Sequence, residues 1–175
     1  MRTSRRPWPV WVVVLFLVLT VWRTLSRRPD IPDRLPPHSE PVRVVRVVDG
    51  DTLLLEDGVR VRLLGVDTPE TKRPDHPVEP FGPEASAFTR DFIGSQPITL
   101  QYDRERRDRY GRVLAFVYVG EQLLNEELIR AGLSRAETRF PFSQSMKRRF
   151  QAAEQTARES GRGIWQRESE PASRR

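Results

Sequence analysis

The chain has 175 residues, of which 30 are basic, 24 are acidic, 15 are proline and none is cysteine. This length fits one domain of ordinary size with about forty residues to spare. The absence of cysteine excludes a disulfide framework, a thiolate zinc site and a cysteine nucleophile. Because His38 and His76 are the only histidines, a multi-histidine metal site is not expected, and any metal ion would be held by oxygen atoms.

The net charge of +6 is concentrated near the N-terminus. Residues 1–39 contain seven arginines and two aspartates, whereas residues 40–175 contain 23 basic and 22 acidic side chains. The high pI of the chain therefore describes its N-terminal segment and says little about the partner of the remaining residues.

The N-terminal segment has the pattern of a targeting element and a tether. A basic tail, residues 1–7, precedes an apolar run over residues 8–22, and a Pro-rich linker follows over residues 23–41. Fifteen helical residues rise roughly 22 Å, which is short of the ~30 Å hydrocarbon core, but tryptophans and arginines at the ends can extend the span. The pattern favours one N-terminal hydrophobic helix that serves as a transmembrane signal anchor. A cleaved signal peptide is the alternative, although no small-residue cleavage site follows the run.

The rest of the chain predicts a β-barrel with helices. Alternating β-branched residues and turn signals predict strands over 42–48, 52–55, 59–66, 97–102 and 112–119. Helix start and stop signals predict helices over 83–93, 125–132 and 143–160. This order is that of an OB-type barrel, so we expect a five-stranded OB-fold domain of the α+β class with about three α-helices over residues 42–168, and a polar tail over 169–175.

Charged and polar side chains cluster where the predicted strands end. They follow the first turn, lie within the third strand and follow the end of that strand, as Asp51, Arg62, Asp67, Thr68 and Glu70. Carboxylate and carbonyl oxygens are the ligands that Ca²⁺ prefers, and a further carboxylate can hold or deprotonate a water molecule. Arginine can bind two oxygens of one phosphate at the same time.

Each of these features also has an ordinary structural explanation. Asp51 is typical of turn chemistry, residues 67–70 resemble a helix cap with proline at the first position, and Arg62 can face solvent. Strict alternation along the third strand places Arg62 and Asp67 on opposite faces of the sheet. The two side chains can meet only if the strand bends, and Gly65 is the expected position of that bend.

Six blocks in series resemble the thermonuclease (staphylococcal nuclease) family. They are VDGDT at 48–52, RLLGVDTPET at 62–71, GPEASAF at 82–88, DRYGR at 108–112, NEEL at 125–128 and GIW at 163–165. The set spans about residues 42–165 in the order of the family. The resemblance implies a five-stranded OB barrel that uses Ca²⁺ to cleave DNA and RNA.

The resemblance also implies a role for each site residue. It implies one Ca²⁺ ion bound by the carboxylates of Asp51 and Asp67 and by the backbone carbonyl of Thr68. Glu70 would position or activate the attacking water, and Arg62 and Arg112 would hold the phosphate and stabilise the charge of the transition state. Attack would displace the 5′ oxygen and leave 3′-phosphate ends.

Substrate binding is where the chain departs from the family. Tyr110 is kept, but Thr138 and Phe140 stand where the family often has tyrosines. Phe140 can still stack on a base, and Lys72 on the long loop can contact the nucleic-acid backbone.

The leading hypothesis is a monomeric, Ca²⁺-dependent nuclease with little sequence preference. It would act on single-stranded or frayed DNA and RNA from the extracytoplasmic side of a membrane, or as a secreted protein if the N-terminal segment is cleaved. The competing hypothesis is a non-catalytic OB-fold module that binds nucleic acid or protein.

Overall fold

A computed structural model describes residues 40–71 and 77–168. The predicted signal anchor at 8–22, the tail at 169–175 and Lys72 lie outside the described residues. Along the two described ranges, no helix is both long enough and apolar enough to cross a membrane.

Eight strands, three α-helices and one 3-10 helix follow one another along the described chain. The strands are β1 (Val44–Asp49), β2 (Thr52–Leu55), β3 (Arg60–Leu63), β4 (Val66–Asp67), β5 (Thr99–Gln101), β6 (Val113–Val119), β7 (Gln122–Leu123) and β8 (Arg135–Ala136). The helices are α1 (Gly82–Ile93), α2 (Leu124–Arg130) and α3 (Gln144–Glu159), and the 3-10 helix is Gly163–Glu168.

The main sheet is mixed and curls toward closure. Its strands lie in the order β1-β2-β3-β6-β5, with β7 beside β6, and only the β3–β6 pair among them is parallel. The backbones of Val42 and Ile98, which precede β1 and β5, exchange two hydrogen bonds of 2.8 Å. The first and last strands of the order therefore meet at this end, as in an OB-like barrel.

The number of strands differs from the sequence-based prediction of five. The predicted strand over 59–66 is interrupted, because Gly65 adopts a φ of 75° that ends the regular alternation. The two residues after this turn form β4, which pairs with β8 in a separate two-stranded sheet. The three predicted α-helices are present, with ends shifted by a few residues at most.

The turn at Gly65 is held from two sides. The buried Asn125 side chain donates to the Leu64 carbonyl at 2.9 Å and accepts from the Val117 N–H at 2.8 Å, which joins the turn to β6. On the other side, Phe142 and Phe150 of the core come so close that a Cβ at residue 65 would lie 2.7–2.9 Å from their rings. Only glycine fits this place in the barrel.

Candidate active site

Four side chains from β3 and its neighbours meet at the end of the barrel. We call Asp51, Arg62, Asp67 and Thr68 the strand-end cluster. Asp51 lies in the β1–β2 turn and is 6% exposed, whereas Arg62 lies in β3 and the other two follow the turn at Gly65. That turn reverses the alternation of side chains, so that Arg62 and Asp67 lie on the same side, as the sequence predicts for a bend at this glycine.

Arg62 bridges the two aspartates of the cluster. Its Nη2 donates to Asp67 Oδ1 at 3.2 Å, and its Nη1 forms an ion pair with Asp51 Oδ2. Thr68 donates to the same Asp51 oxygen through its backbone N–H at 3.1 Å and its hydroxyl at 3.0 Å. The cluster is therefore a preformed network in which two carboxylates share one guanidinium.

Arg62 is largely shielded from solvent where it meets the two aspartates. Its side chain is 18% exposed, and its Nη1 atom is buried in the ion pair with Asp51 Oδ2. Electrostatic interactions of a guanidinium in such a place are stronger than in water and are weakly screened by salt. The two carboxylates therefore fix the position of Arg62.

The pKa of Asp67 reflects a crowded electrostatic environment. Partial burial raises this pKa, the Arg62 guanidinium opposes the rise, and the neighbouring Asp51 carboxylate adds to it. Because 58% of the Asp67 side chain is exposed, solvent screens part of this effect. The Arg62 guanidinium already relieves part of the repulsion between the two carboxylates, and a bound metal ion would relieve it further.

Asp49 holds the segment that follows the cluster along the chain. Burial alone would raise the pKa of Asp49, but hydrogen bonds with Glu70, Thr71 and the Gly50 N–H together lower it below its ordinary value. The Asp49 Oδ1 atom accepts from the Thr71 hydroxyl at 2.8 Å and from the Gly50 N–H at 2.9 Å. Asp49 thus fixes the segment that carries Glu70, a role that its position in a turn signal did not reveal.

Arg112 is held on the loop before β6. Asp108 accepts from Arg112 Nε at 2.6 Å and from the Arg112 N–H at 2.9 Å, so one carboxylate orients the guanidinium and shapes the turn. The Tyr110 ring, 62% exposed, lies 5.4 Å from the Arg112 guanidinium and 4.8 Å from that of Arg109.

The β3–β6 register relates Arg112 to the strand-end cluster. Val61 pairs with Val113 and Arg62 pairs with Leu114 in parallel strands. Continued by one pair, this register places Arg112 beside Arg60, and therefore on the face of the sheet that Arg62 occupies. The two arginines implied by the family resemblance thus project from neighbouring strands on one face.

A cleft of about 520 Å³ opens beside Asp67 and Thr68. Phe81 forms part of the wall. Among the described residues, Phe81 is the one residue other than glycine that has a positive φ, and its value is 70°. Phe140 lies on the segment after β8 and is 53% exposed.

The strand-end cluster supplies some, but not all, of the oxygen ligands that a hard cation requires. Among residues 40–71 and 77–168, no group of three or more His, Cys, Asp or Glu side chains is arranged to hold a metal ion. The cluster offers two carboxylates, to which the resemblance adds the Thr68 carbonyl. This set suits Ca²⁺ if water or substrate oxygens supply the other positions.

The structure brings four of the predicted residues directly together and places the others around them. Asp51, Arg62, Asp67 and Thr68 form one network, and Glu70 stands two residues after Thr68, where its N–H donates to Glu79 Oε2 at 3.1 Å. Sequence reasoning missed the carboxylates that hold the site, which are Asp49, Asp108 and Glu137. A signal for Asp108 was available, since it stands four residues before Arg112 in the DRYGR block.

A barrel whose strand ends gather carboxylates and arginines is a fold and site suited to phosphate chemistry. Residues 60–167 match the family described as "Staphylococcal nuclease homologue", and the chain belongs to this family.

Several relatives match most of the same region. The chain is 40% identical over 131 residues to "Thermonuclease" of Staphylococcus hyicus, covering 73% of this chain and 77% of the relative. It is 43% identical over 133 residues to "Thermonuclease" of Staphylococcus intermedius, covering 74% and 79%. It is also 38% identical over 128 residues to "Endonuclease YncB" of Bacillus subtilis (strain 168), covering 71% and 61%. The family resemblance drawn from the sequence is thereby confirmed.

Proposed function

We propose that this protein is a Ca²⁺-dependent endonuclease that hydrolyses phosphodiester bonds of DNA and RNA and leaves 3′-phosphate ends. The observation that carries the proposal is Arg62, a largely buried guanidinium that bridges two aspartates where the strands end. Membership of a family that includes thermonucleases and an endonuclease supports it.

The arginines act on the phosphate. Arg62 lies where solvent is largely excluded, so its interaction with a phosphate oxygen is worth more there than in water. Arg112 is already oriented by Asp108 and loses little freedom when it binds. Two such groups stabilise the extra negative charge that develops on the phosphate in the transition state.

The carboxylates have two tasks. Asp51 and Asp67, with the Thr68 carbonyl, would hold one Ca²⁺ ion, which when bound supplies Lewis acidity and a template for the phosphate. Glu70 would position or deprotonate the attacking water. Its carboxylate accepts from the Thr71 N–H at 3.2 Å, and the Thr71 hydroxyl in turn donates to Asp49 at 2.8 Å.

The remaining features of the proposal concern substrate and location. Tyr110 and Phe140 expose rings that can stack on the bases of single-stranded or frayed nucleic acid. Lys72 would contact the backbone of the same strand. The protein would act as a monomer, anchored in a membrane through residues 8–22 with its nuclease domain on the extracytoplasmic side, or secreted after cleavage.

The test is digestion of plasmid DNA and RNA by the full chain, with Ca²⁺ and with a chelator. We expect degradation only with Ca²⁺, products that lose phosphate to a 3′-phosphatase, and a rate at least about 100-fold lower in Glu70→Ala. Glu56→Ala, which removes an exposed carboxylate in the β2–β3 turn, is the matched control and should digest like the wild type.

Two results would contradict the proposal. Undiminished digestion in chelator would show that cleavage does not require Ca²⁺. A nearly unchanged rate in Glu70→Ala would show that Glu70 does not position or deprotonate the attacking water. If the folded chain binds nucleic acid with Ca²⁺ present but does not degrade it, the non-catalytic OB-fold module becomes the better description.

A further inference from the structure

A third arginine, Arg139, is held by a carboxylate beside the strand-end cluster. Glu137 accepts from Arg139 three times, from its N–H at 3.1 Å, from Nε at 2.9 Å and from Nη2 at 2.5 Å. The Glu137 side chain is 13% exposed, whereas the Arg139 side chain is 88% exposed. A largely buried carboxylate thus fixes a guanidinium that projects into solvent.

The backbone places this pair next to the cluster. The Glu137 N–H donates to the carbonyl of Gly65 at 3.0 Å, and the two residues before Glu137 form β8, which pairs with Val66 and Asp67. The charges of Glu137 and Arg139 both act on the pKa of Asp67, in opposite directions. Arg139 therefore lies at the edge of the cluster and not on a remote surface.

The guanidinium has donors left over in this arrangement. Arginine carries five N–H donors, and the contacts with Glu137 use the Nε side of the group. Three donors, two on Nη1 and one on Nη2, are left by these contacts, and two neighbouring N–H groups of a guanidinium match two oxygens of a phosphate. The arrangement repeats that of Arg112, whose Nε is likewise held by the carboxylate of Asp108.

We propose that Arg139, held by Glu137, binds a backbone phosphate of the substrate that neighbours the scissile phosphate. This inference rests on the proposed nuclease function and adds a binding position to it. Arg139 would contribute to the affinity for strands with several phosphates and would not contact the reacting atoms. Thr138 and Phe140 flank it on the same segment, so the strand would continue along the exposed Phe140 ring.

The experiment measures binding of a labelled single-stranded 12-mer to the full chain with Ca²⁺, in a Glu70→Gln background that slows cleavage. We expect Arg139→Ala to weaken binding about fivefold at low salt and to lower the slope of log affinity against log salt by about 0.7, the value for one phosphate contact on a single strand. Arg139→Lys should keep most of the slope, because the charge remains, but not the full affinity.

Two matched controls separate a phosphate contact from a general effect of charge. Arg148→Ala removes an exposed arginine from α3 and should leave affinity and slope unchanged. A 12-mer with a single charged linkage, the others being neutral methylphosphonates, should bind wild type and Arg139→Ala equally. The inference is overturned if Arg139→Ala binds the fully charged 12-mer like the wild type, or if the substitution weakens binding of the fully charged and the singly charged 12-mers alike.

Failure of the inference and failure of the proposed function give different results. Cleavage of the 12-mer by the wild type, combined with binding that does not depend on Arg139, overturns the inference alone. Binding that depends on Arg139 without any cleavage by the wild type overturns the nuclease proposal and leaves the phosphate contact in place.

Discussion

The site holds its arginines in two different ways. Arg62 is fixed by carboxylates that other turns of the barrel supply, and it is 18% exposed. Arg112 and Arg139, which we call the clamped arginines, are each fixed by a carboxylate within four residues on the same loop. The strand-end cluster therefore depends on the fold of the whole barrel, whereas each clamped arginine depends on a local pair.

The difference in burial changes what each group contributes. Charges in the cluster are shielded from water, so their mutual interactions are strong and weakly screened by salt. Exposed pairs contribute little to stability, because water and salt screen them and ordering the long side chains costs entropy. We therefore expect substitutions in the cluster to affect rate and folding strongly, and substitution of the exposed Arg139 to affect mainly the binding of nucleic acid. Arg112, whose side chain is 27% exposed, acts on the phosphate, so its substitution should lower the rate.

The largest effect is expected for Arg62→Lys. Lysine keeps the positive charge but cannot bridge Asp51 and Asp67 while offering a further donor, because it lacks the planar fork of the guanidinium. We expect the rate of nucleic-acid cleavage with Ca²⁺ to fall about 100- to 1,000-fold, or roughly 3–4 kcal/mol of transition-state stabilisation. Arg60→Lys, an exposed position two residues earlier on β3, is the control and should cleave like the wild type.

Single-turnover cleavage of one labelled oligonucleotide is the measurement, because it separates the chemical step from product release. A decrease smaller than about tenfold in Arg62→Lys would mean that charge alone is sufficient at this position. The contrast between the cluster and the clamped arginines would then be wrong.

The next effect concerns the turn that assembles the cluster. In Gly65→Ala the new Cβ would lie 2.7 Å from the Phe150 ring on a backbone with a φ of 75°. Overpacking and the left-handed backbone together should lower the free energy of unfolding by about 3 kcal/mol. Gly58→Ala is a matched control, since its φ is 81° but no atom lies within 4 Å of the added Cβ, so it should cost only about 1 kcal/mol.

Urea unfolding of the full chain, followed by circular dichroism, compares the two glycine variants. Equal losses would show that the aromatic rings move aside easily and that backbone conformation alone requires Gly65. A loss in Gly65→Ala that exceeds the loss in Gly58→Ala by about 2 kcal/mol would support the close packing of the turn.

Much of the fold was predictable, because its signals are local. The helices and the β1–β2 turn follow from periodicity, proline and glycine, and the structure has them within a few residues of the predicted bounds. The five predicted strands are present, but the sequence did not predict β4, β7 and β8, which are only two residues long. β4 and β8 exist through pairing with each other across a long stretch of chain, and β7 pairs with the adjacent end of β6. No alternation over two residues can be recognised in a sequence.

The site was predictable in its members but not in its supports. Asp51, Arg62 and Asp67 carry family motifs, and Gly65 gave a physical reason for their convergence. Glu137 and Arg139 have no such signal, since their importance arises only when β8 pairs with β4. Whether a carboxylate orients another side chain depends on tertiary contacts. Such contacts cannot be inferred from composition or from the spacing of residues.

The smallest expected effect is the loss, at acid pH, of the contribution that the Glu137–Arg139 pair makes to the free energy of unfolding. Hydrogen bonds from Arg139 hold the pKa of Glu137 below its ordinary value of 4.5. A lowered pKa means that the contribution of the pair to stability is present above about pH 4.5 and is lost as pH falls through the lower value of the folded state. The difference in unfolding free energy between wild type and Glu137→Gln should therefore be small, constant above pH 5 and smaller still in more acidic solution. Urea unfolding between pH 3 and 7 at low salt measures this difference, with Glu56→Gln as an exposed control.

Asp67 has the opposite effect on the pH dependence of stability in both proteins, because burial raises its pKa. Loss of the Glu137 charge makes that rise in pKa smaller in the variant. A difference that grows toward acid pH would show that this second effect dominates, and that Glu137 acts on the strand-end cluster more than on Arg139.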